Sequence, residues 1–149
     1  MNTVNVRKVE IGKGIPKICV PVVGITRDDI IDAACKAKET ADLVEWRADW
    51  YEDVLDFKKT EKMMEELRET LGDIPLLFTF RTLKEGGEKE IEKSVYVKLN
   101  EMAVKTGFAD LVDAEAFTGT DEVNTIVETA HLYGAVSYTH LRAHETSLH

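Results

Sequence analysis

The sequence predicts a parallel α/β fold on the (β/α)8 TIM-barrel plan, of which the chain carries the first four to five βα units, an incomplete barrel. Three observations lead there. Apolar strand-like runs alternate with amphipathic helical segments, the strands beginning near residues 17, 42, 75, 108 and 135. Each unit takes about 30 residues, and eight would need roughly 240, close to the usual barrel size. Charged residues gather where the strands end, the place at which barrel proteins carry the groups that act. A doubly wound sheet would put a glycine-rich phosphate loop after the first strand, and Gly24-Ile25-Thr26 is not one. Length alone favours the alternative, a complete small doubly wound module of ligand-binding or receiver-like type.

Taken in order, Thr3 to Ile11 alternates weakly and ends in Gly12-Lys13-Gly14, a short strand or hairpin arm. Lys17 to Gly24 is a nearly continuous apolar run, the pattern of a strand buried on both faces. Pro21 inside it is awkward, because proline cannot donate to a ladder. Thr26 with Asp29 forms a capping box ahead of a helix bearing Ile30, Ile31, Ala34, Cys35 and Ala37. The next strand, 42–49, is the charged one. Phe57, Met64, Leu67 and Leu71 stripe a highly charged helix closed by Gly72. Residues 75–82 form a strand, and Gly86-Gly87 breaks the chain. A helix carrying Ile91, Val95, Leu99, Met102 and Ala103 follows. Residues 108–117 form the next strand, and Thr118-Gly119-Thr120-Asp121 caps a helix with Val123, Ile126, Val127 and Ala130.

The chain has 149 residues, about one domain, with 44% hydrophobic and 32% charged residues. A formal charge of −9 excludes a general nucleic-acid binder, which needs a basic face. No apolar run approaches a membrane span, and the polar N-terminus does not read as a signal peptide. Cys19 and Cys35 have no metal-ligand companions, so reduced, buried thiols of a cytosolic protein are expected.

The chemistry concentrates in Asp42-Leu43-Val44-Glu45-Trp46-Arg47-Ala48-Asp49. Side chains alternate across a strand, so Glu45, Arg47 and Asp49 are expected on one face. Charges there are costly unless they pair or meet a polar ligand. The pattern recurs: Arg81 ends the strand over 75–82, Glu85 lies in the loop beyond it, and Asp113 and Glu115 close the strand over 108–117 at the same spacing. Arginines among carboxylates on one rim suit an anionic ligand with hydroxyls. The competing reading is a network of internal ion pairs with no ligand.

These residues carry a resemblance. GIPKICVPVVG (14–24), LVEWRADW (43–50), PLLFTFRTLKEGGE (75–88) and DLVDAEAFTG (110–119) together resemble type I 3-dehydroquinate dehydratase, from about Val4 to Gly134. The resemblance implies a cytoplasmic, homodimeric (β/α)8 barrel without metal or cofactor. Its substrate would be the small molecule 3-dehydroquinate, dehydrated to 3-dehydroshikimate in the shikimate pathway, with no nucleic-acid or membrane partner. It assigns Glu45, Trp46, Arg47, Arg81, Glu85 and Asp113 to substrate binding. Glu115 would support the catalytic histidine through a hydrogen bond. The family's chemistry uses a Schiff-base lysine on strand six and that histidine after strand five.

Neither catalytic group is found where the resemblance would put it. The histidine is expected near position 142, which is Arg142, with His140 and His144 close by. Those two have the i, i+4 spacing of a helical metal pair, but no HExxH order accompanies them. The stretch VSYTHLRAHETSLH (136–149) is expected to be a non-native, adaptor-like tail, with residues 1–135 the N-terminal half of the barrel. An open half-barrel would expose sheet edges, so partial folding or association through them is expected.

Overall fold

Residues 4–7, 9–11, 17–115, 119–141 and 145–148 are described by the computed structural model of the protein. Two short strands, β1 (Val4–Val6) and β2 (Val9–Ile11), form an antiparallel hairpin that turns at Arg7, whose φ is 53°. Gly12-Lys13-Gly14, expected to end it, lies outside the described residues. The main sheet has six strands in the order β3 (Cys19–Val22), β4 (Leu43–Arg47), β5 (Leu76–Thr79), β6 (Leu111–Glu115), β7 (Val136–Leu141) and β8 (Glu145–Leu148). The first five are parallel and β8 turns back antiparallel on β7. Helices α1 (Arg27–Ala37), α2 (Phe57–Leu71), α3 (Lys93–Lys105) and α4 (Thr120–Leu132) make the crossovers. Within this sheet, strands that follow one another in the chain are hydrogen-bonded neighbours. A doubly wound sheet must reverse its strand order at a switch point, so the doubly wound alternative is wrong and the barrel plan holds. Among the described residues no helix is long and apolar enough to cross a membrane.

The sequential order puts the helices on one face. Val22, Val44, Trp46, Phe78, Val112 and Ala114 pack there against Ile30, Met64, Leu67, Leu99 and Ile126 in one buried core. Trp46 and Phe78 meet edge to face with centroids 5.6 Å apart, a geometry that adds to simple area burial. On the inner face, Leu77 and Leu111 are covered by Val6 of the hairpin, with Leu43 and Val136 beside them. The hairpin thus closes the N-terminal end of the inner face and leaves the C-terminal ends of the strands open.

Local chemistry explains the element limits. Thr26 accepts from the Asp29 amide at 3.2 Å and starts α1. Asp56 does the same for Lys59 at the start of α2, which Gly72 ends with φ of 61°. Arg68 locks the far end: its guanidinium donates to the carbonyls of Gly72, Ile74 and Phe108 and to Asp110 Oδ2 at 2.6 Å. That one side chain ties the end of α2 to the starts of β5 and β6.

Several expectations need correction. The 17–24 run is not buried on both faces; Cys19 and Pro21 are exposed and only Val22 of the strand is buried. β3 is an edge strand, paired with β4 alone. The Ile18 carbonyl bonds toward β4 (Leu43 amide, 3.1 Å), so alternation turns the backbone of Pro21 toward the open side. Proline is tolerated because its missing donor falls on that side. Both cysteines are free but exposed, not buried. Gly119 is the N-cap of α4, without a side-chain bond, so Thr118-Gly119-Thr120-Asp121 is no side-chain cap; Thr118 lies outside the described residues. The strand expected to begin near 135 is present as β7, in register with β6 from Leu111↔Val136 to Glu115↔His140. Its Ser137 is fully buried on the helix side, and the hydroxyl has no partner among the described residues.

Candidate functional site

The open end of the inner face is where β4, β5 and β6 finish. Glu45 and Arg47 stand on β4, Arg81 follows β5, and Asp113 and Glu115 stand on β6. Parallel pairing in near register brings these ends together, Glu45 opposite Leu77 and Arg47 opposite Thr79. Glu45, Arg47, Arg81, Asp113 and Glu115 therefore share one rim. Glu85 stands in a short 3-10 turn, Leu83–Glu85, over the same end.

Each charge is held by a neighbour. Arg47 forks onto Asp49, Nε to Oδ1 at 2.9 Å and Nη2 to Oδ2 at 2.8 Å. That hydrogen-bonded pair, more than any other influence, keeps the Arg47 guanidinium protonated beyond its usual range. Arg81 Nη2 lies 3.7 Å from Asp113 Oδ2, and its buried Nε has no hydrogen-bond partner among the described residues. Glu45 accepts from the Thr79 hydroxyl at 2.9 Å. Glu115, 2% exposed, takes the Thr82 amide at 2.9 Å and its hydroxyl at 2.7 Å. The Tyr96 hydroxyl fixes the end of β6, donating to the Asp113 carbonyl and accepting from the Glu115 amide.

The loop after β5 is shaped by contact with the rim. Gly87 packs so closely on the Arg81 carbonyl that an added Cβ would lie 1.8 Å from its oxygen. Lys89 donates to the carbonyls of Asp49 and Tyr51 at 2.6 and 3.0 Å, stapling the loop to the turn that follows β4. Beneath it opens a cavity of about 460 Å³ bordered by Thr82, Glu85, Lys93, Tyr96 and Glu115 among others.

Trp46 is the misplaced member of the expected set. It is 0% exposed, on the helix face beside Phe78 and Tyr51, one residue out of phase with Glu45 and Arg47. A side chain there packs the core and cannot reach the rim. Thr79, Thr82 and Lys89 were absent from the expected set. Thr79 could have been found from the same two-residue period that places Arg81; Thr82 and Lys89 join through the loop, which no period describes. Asp49 was expected on the strand, but β4 stops at Arg47 and a 3-10 turn over Ala48–Trp50 carries it. His140 lies opposite Glu115 in the backbone register, while Arg142 and His144 fall outside the described residues.

Comparison with known proteins identifies a family. Residues 18–142 match the family described as Type I 3-dehydroquinase, past the boundary at 135 that the sequence suggested. The chain is 53% identical over 129 residues to a 3-dehydroquinate dehydratase of Clostridium botulinum, covering 86% of this chain and 51% of that protein. A 3-dehydroquinate dehydratase of Bacillus licheniformis is 48% identical over the same shares. Among solved structures, the type I 3-dehydroquinate dehydratase of Clostridium difficile, covalently modified by comenic acid, superposes with a TM-score of 0.91 at 41% identity, over 93% of this chain and 55% of that one. The Enterococcus faecalis 3-dehydroquinate dehydratase gives 0.86 at 42% identity, over 91% and 57%. The chain spans about half the length of the curated relatives it matches.

Proposed function

The chain belongs to the type I 3-dehydroquinase family, and from that premise we propose that its rim is the substrate-anchoring part of a 3-dehydroquinate dehydratase. The observation that carries the reading is the convergence of Glu45, Arg47, Arg81, Asp113 and Glu115 on the open ends of three adjacent strands. 3-Dehydroquinate is a hydroxylated ring bearing one carboxylate and one ketone. Guanidinium donors on Arg47 and Arg81 serve its oxygens, and the carboxylates of Glu45 and Asp113 accept from its hydroxyls.

In the reaction of the full-length protein, the ketone condenses with a lysine amine, releasing water and forming an imine. The imine withdraws electrons from the neighbouring carbon, a base removes its proton, and the β-hydroxyl departs as water. Hydrolysis of the imine returns the lysine and frees 3-dehydroshikimate. The sequence carries neither a Schiff-base lysine nor a proton-shuttling histidine at the positions the family resemblance gives them, and on this reading the chain alone binds without turning over. The full-length protein is read as a cytoplasmic homodimer of the shikimate pathway that needs no cofactor. Residues 1–135 are read as barrel sequence and 136–149 as a foreign tail. The orphaned Ser137 hydroxyl in an otherwise apolar layer supports a junction there, and independent resequencing of the encoding DNA tests it.

The site itself is tested by titrating the chain with 3-dehydroquinate and following backbone amide resonances. Shifts are expected at Glu45–Asp49, Arg81–Glu85 and Asp113–Glu115. Borohydride with 3-dehydroquinate should leave the mass of this chain unchanged while a full-length relative gains the reduced adduct. Resonances unmoved at those strand ends, or an adduct on this chain, would overturn the reading.

A further inference from the structure

We propose that Asp49 is the positioning residue of this rim, a buried carboxylate that sets the two arginines and the loop bearing Glu85 in one fixed arrangement; the inference rests on the substrate reading above. Asp49 is fully buried. Its Oδ1 accepts from Arg47 Nε at 2.9 Å and from the Arg81 amide at 3.3 Å. Its Oδ2 accepts from Arg47 Nη2 at 2.8 Å and from the Glu88 amide at 3.2 Å. The carbonyl of Asp49 takes Lys89 Nζ.

One carboxylate therefore bonds the end of β4, the end of β5 and the far side of the loop. A buried charge is retained only if its partners compensate its desolvation, and these four donors do so. The arrangement has a chemical consequence. Arg47 commits its Nε–Nη2 edge to Asp49, so it meets a ligand end-on, with the remaining hydrogens of Nη1 and Nη2. The direction of that contact is dictated by the fork. The Arg81 side chain departs from a backbone anchored at its own amide. Asp49 need not touch the ligand to control the spacing of both cations.

The test uses the full 149-residue chain, 3-dehydroquinate as the probe and Arg81→Ala alongside. Asp49→Asn keeps the shape but removes the charge and half the acceptor capacity. Binding should weaken roughly ten- to a hundredfold, the scale of lost charge-assisted hydrogen bonds. The Arg47 Nε proton, slow to exchange in the unsubstituted chain, should exchange rapidly in the variant, a change that general loosening of a still-folded chain does not produce at Arg47 alone. Unchanged affinity in a folded Asp49→Asn chain overturns the assignment. If the unsubstituted chain does not bind, or Arg81→Ala binds as well as it does, the substrate reading has failed instead. Arg47 exchange still decides for Asp49: equal rates with and without its charge overturn the positioning role. Should Asp49→Asn not fold, the unsubstituted chain suffices, since a rapidly exchanging Arg47 Nε proton there is incompatible with the fork.

Discussion

The Thr79 hydroxyl donates to Glu45 Oε2 at 2.9 Å, across the step from β5 to β4. Thr79 is fully buried, and its hydroxyl makes this one side-chain hydrogen bond among the described residues. Thr79→Val keeps the shape and removes the donor. Glu45 is half-buried and regains some solvation, so the cost should be about 1 kcal/mol in urea denaturation. Binding of 3-dehydroquinate should weaken because the Glu45 carboxylate loses its orientation.

Gly87 lies against the Arg81 carbonyl with no room for a methyl group. Gly87→Ala forces the loop away from the end of β5, and overpacking of this kind costs about 1–3 kcal/mol. The loop's bonds to Asp49 should loosen with it. Thermal denaturation and the exchange rate of the Glu88 amide report both effects; unchanged amide protection would show the loop adapts.

Ser137 sits fully buried on the helix side of β7 with no partner for its hydroxyl among the described residues. An unsatisfied polar atom in an apolar layer is a standing cost. Ser137→Val should therefore stabilise the chain by about 1 kcal/mol, read as a higher urea midpoint at constant slope.

Arg68 is the opposite case, a cation whose donors all find acceptors. Burial pulls its basicity below the usual guanidinium value, with the Asp110 carboxylate opposing. Arg68→Ala leaves Asp110 with Arg7 Nε and the Leu76 amide but strips the Gly72, Ile74 and Phe108 carbonyls of this donor, and should cost about 1–3 kcal/mol. Arg68→Lys should recover only part, since an ammonium cannot span the same acceptors.

Cys19 gives a pH signature. Although the residue is exposed, partial desolvation of its thiol, assisted by the Glu45 carboxylate, pushes it up to about 11, from 9.0. The folded chain holds the proton where the unfolded chain has lost it, so stability should fall as pH rises between those two values. Alkylation of Cys19 should be slow at neutral pH and accelerate toward the upper value. Glu45→Gln should move that acceleration to lower pH by removing the repulsive charge.

The repeated strand–helix pattern made the barrel plan legible, because each apolar run and each amphipathic helix has its own period. The charged rim was legible for the same reason: Glu45 with Arg47, and Asp113 with Glu115, keep the two-residue spacing of one strand face. The same period turns Trp46 the other way, toward the helices. The exposure of β3 was not legible. An apolar run says that a strand is fit for burial, while which neighbour covers it depends on partners distant in sequence. Asp49 was unreadable for a related reason. Its spacing from Arg47 imitates a strand, yet its contacts arise from a tight turn and from two amides more than thirty residues away.

The hairpin under Leu77 and Leu111 gives the inner wall a polarity gradient along the strand axis. Carbon lies at the bottom and charge at the top, a few residues apart. A small ring entering such a wall has a preferred end-on attitude before any single contact forms: its oxygens face the mouth and its hydrocarbon edge faces the floor.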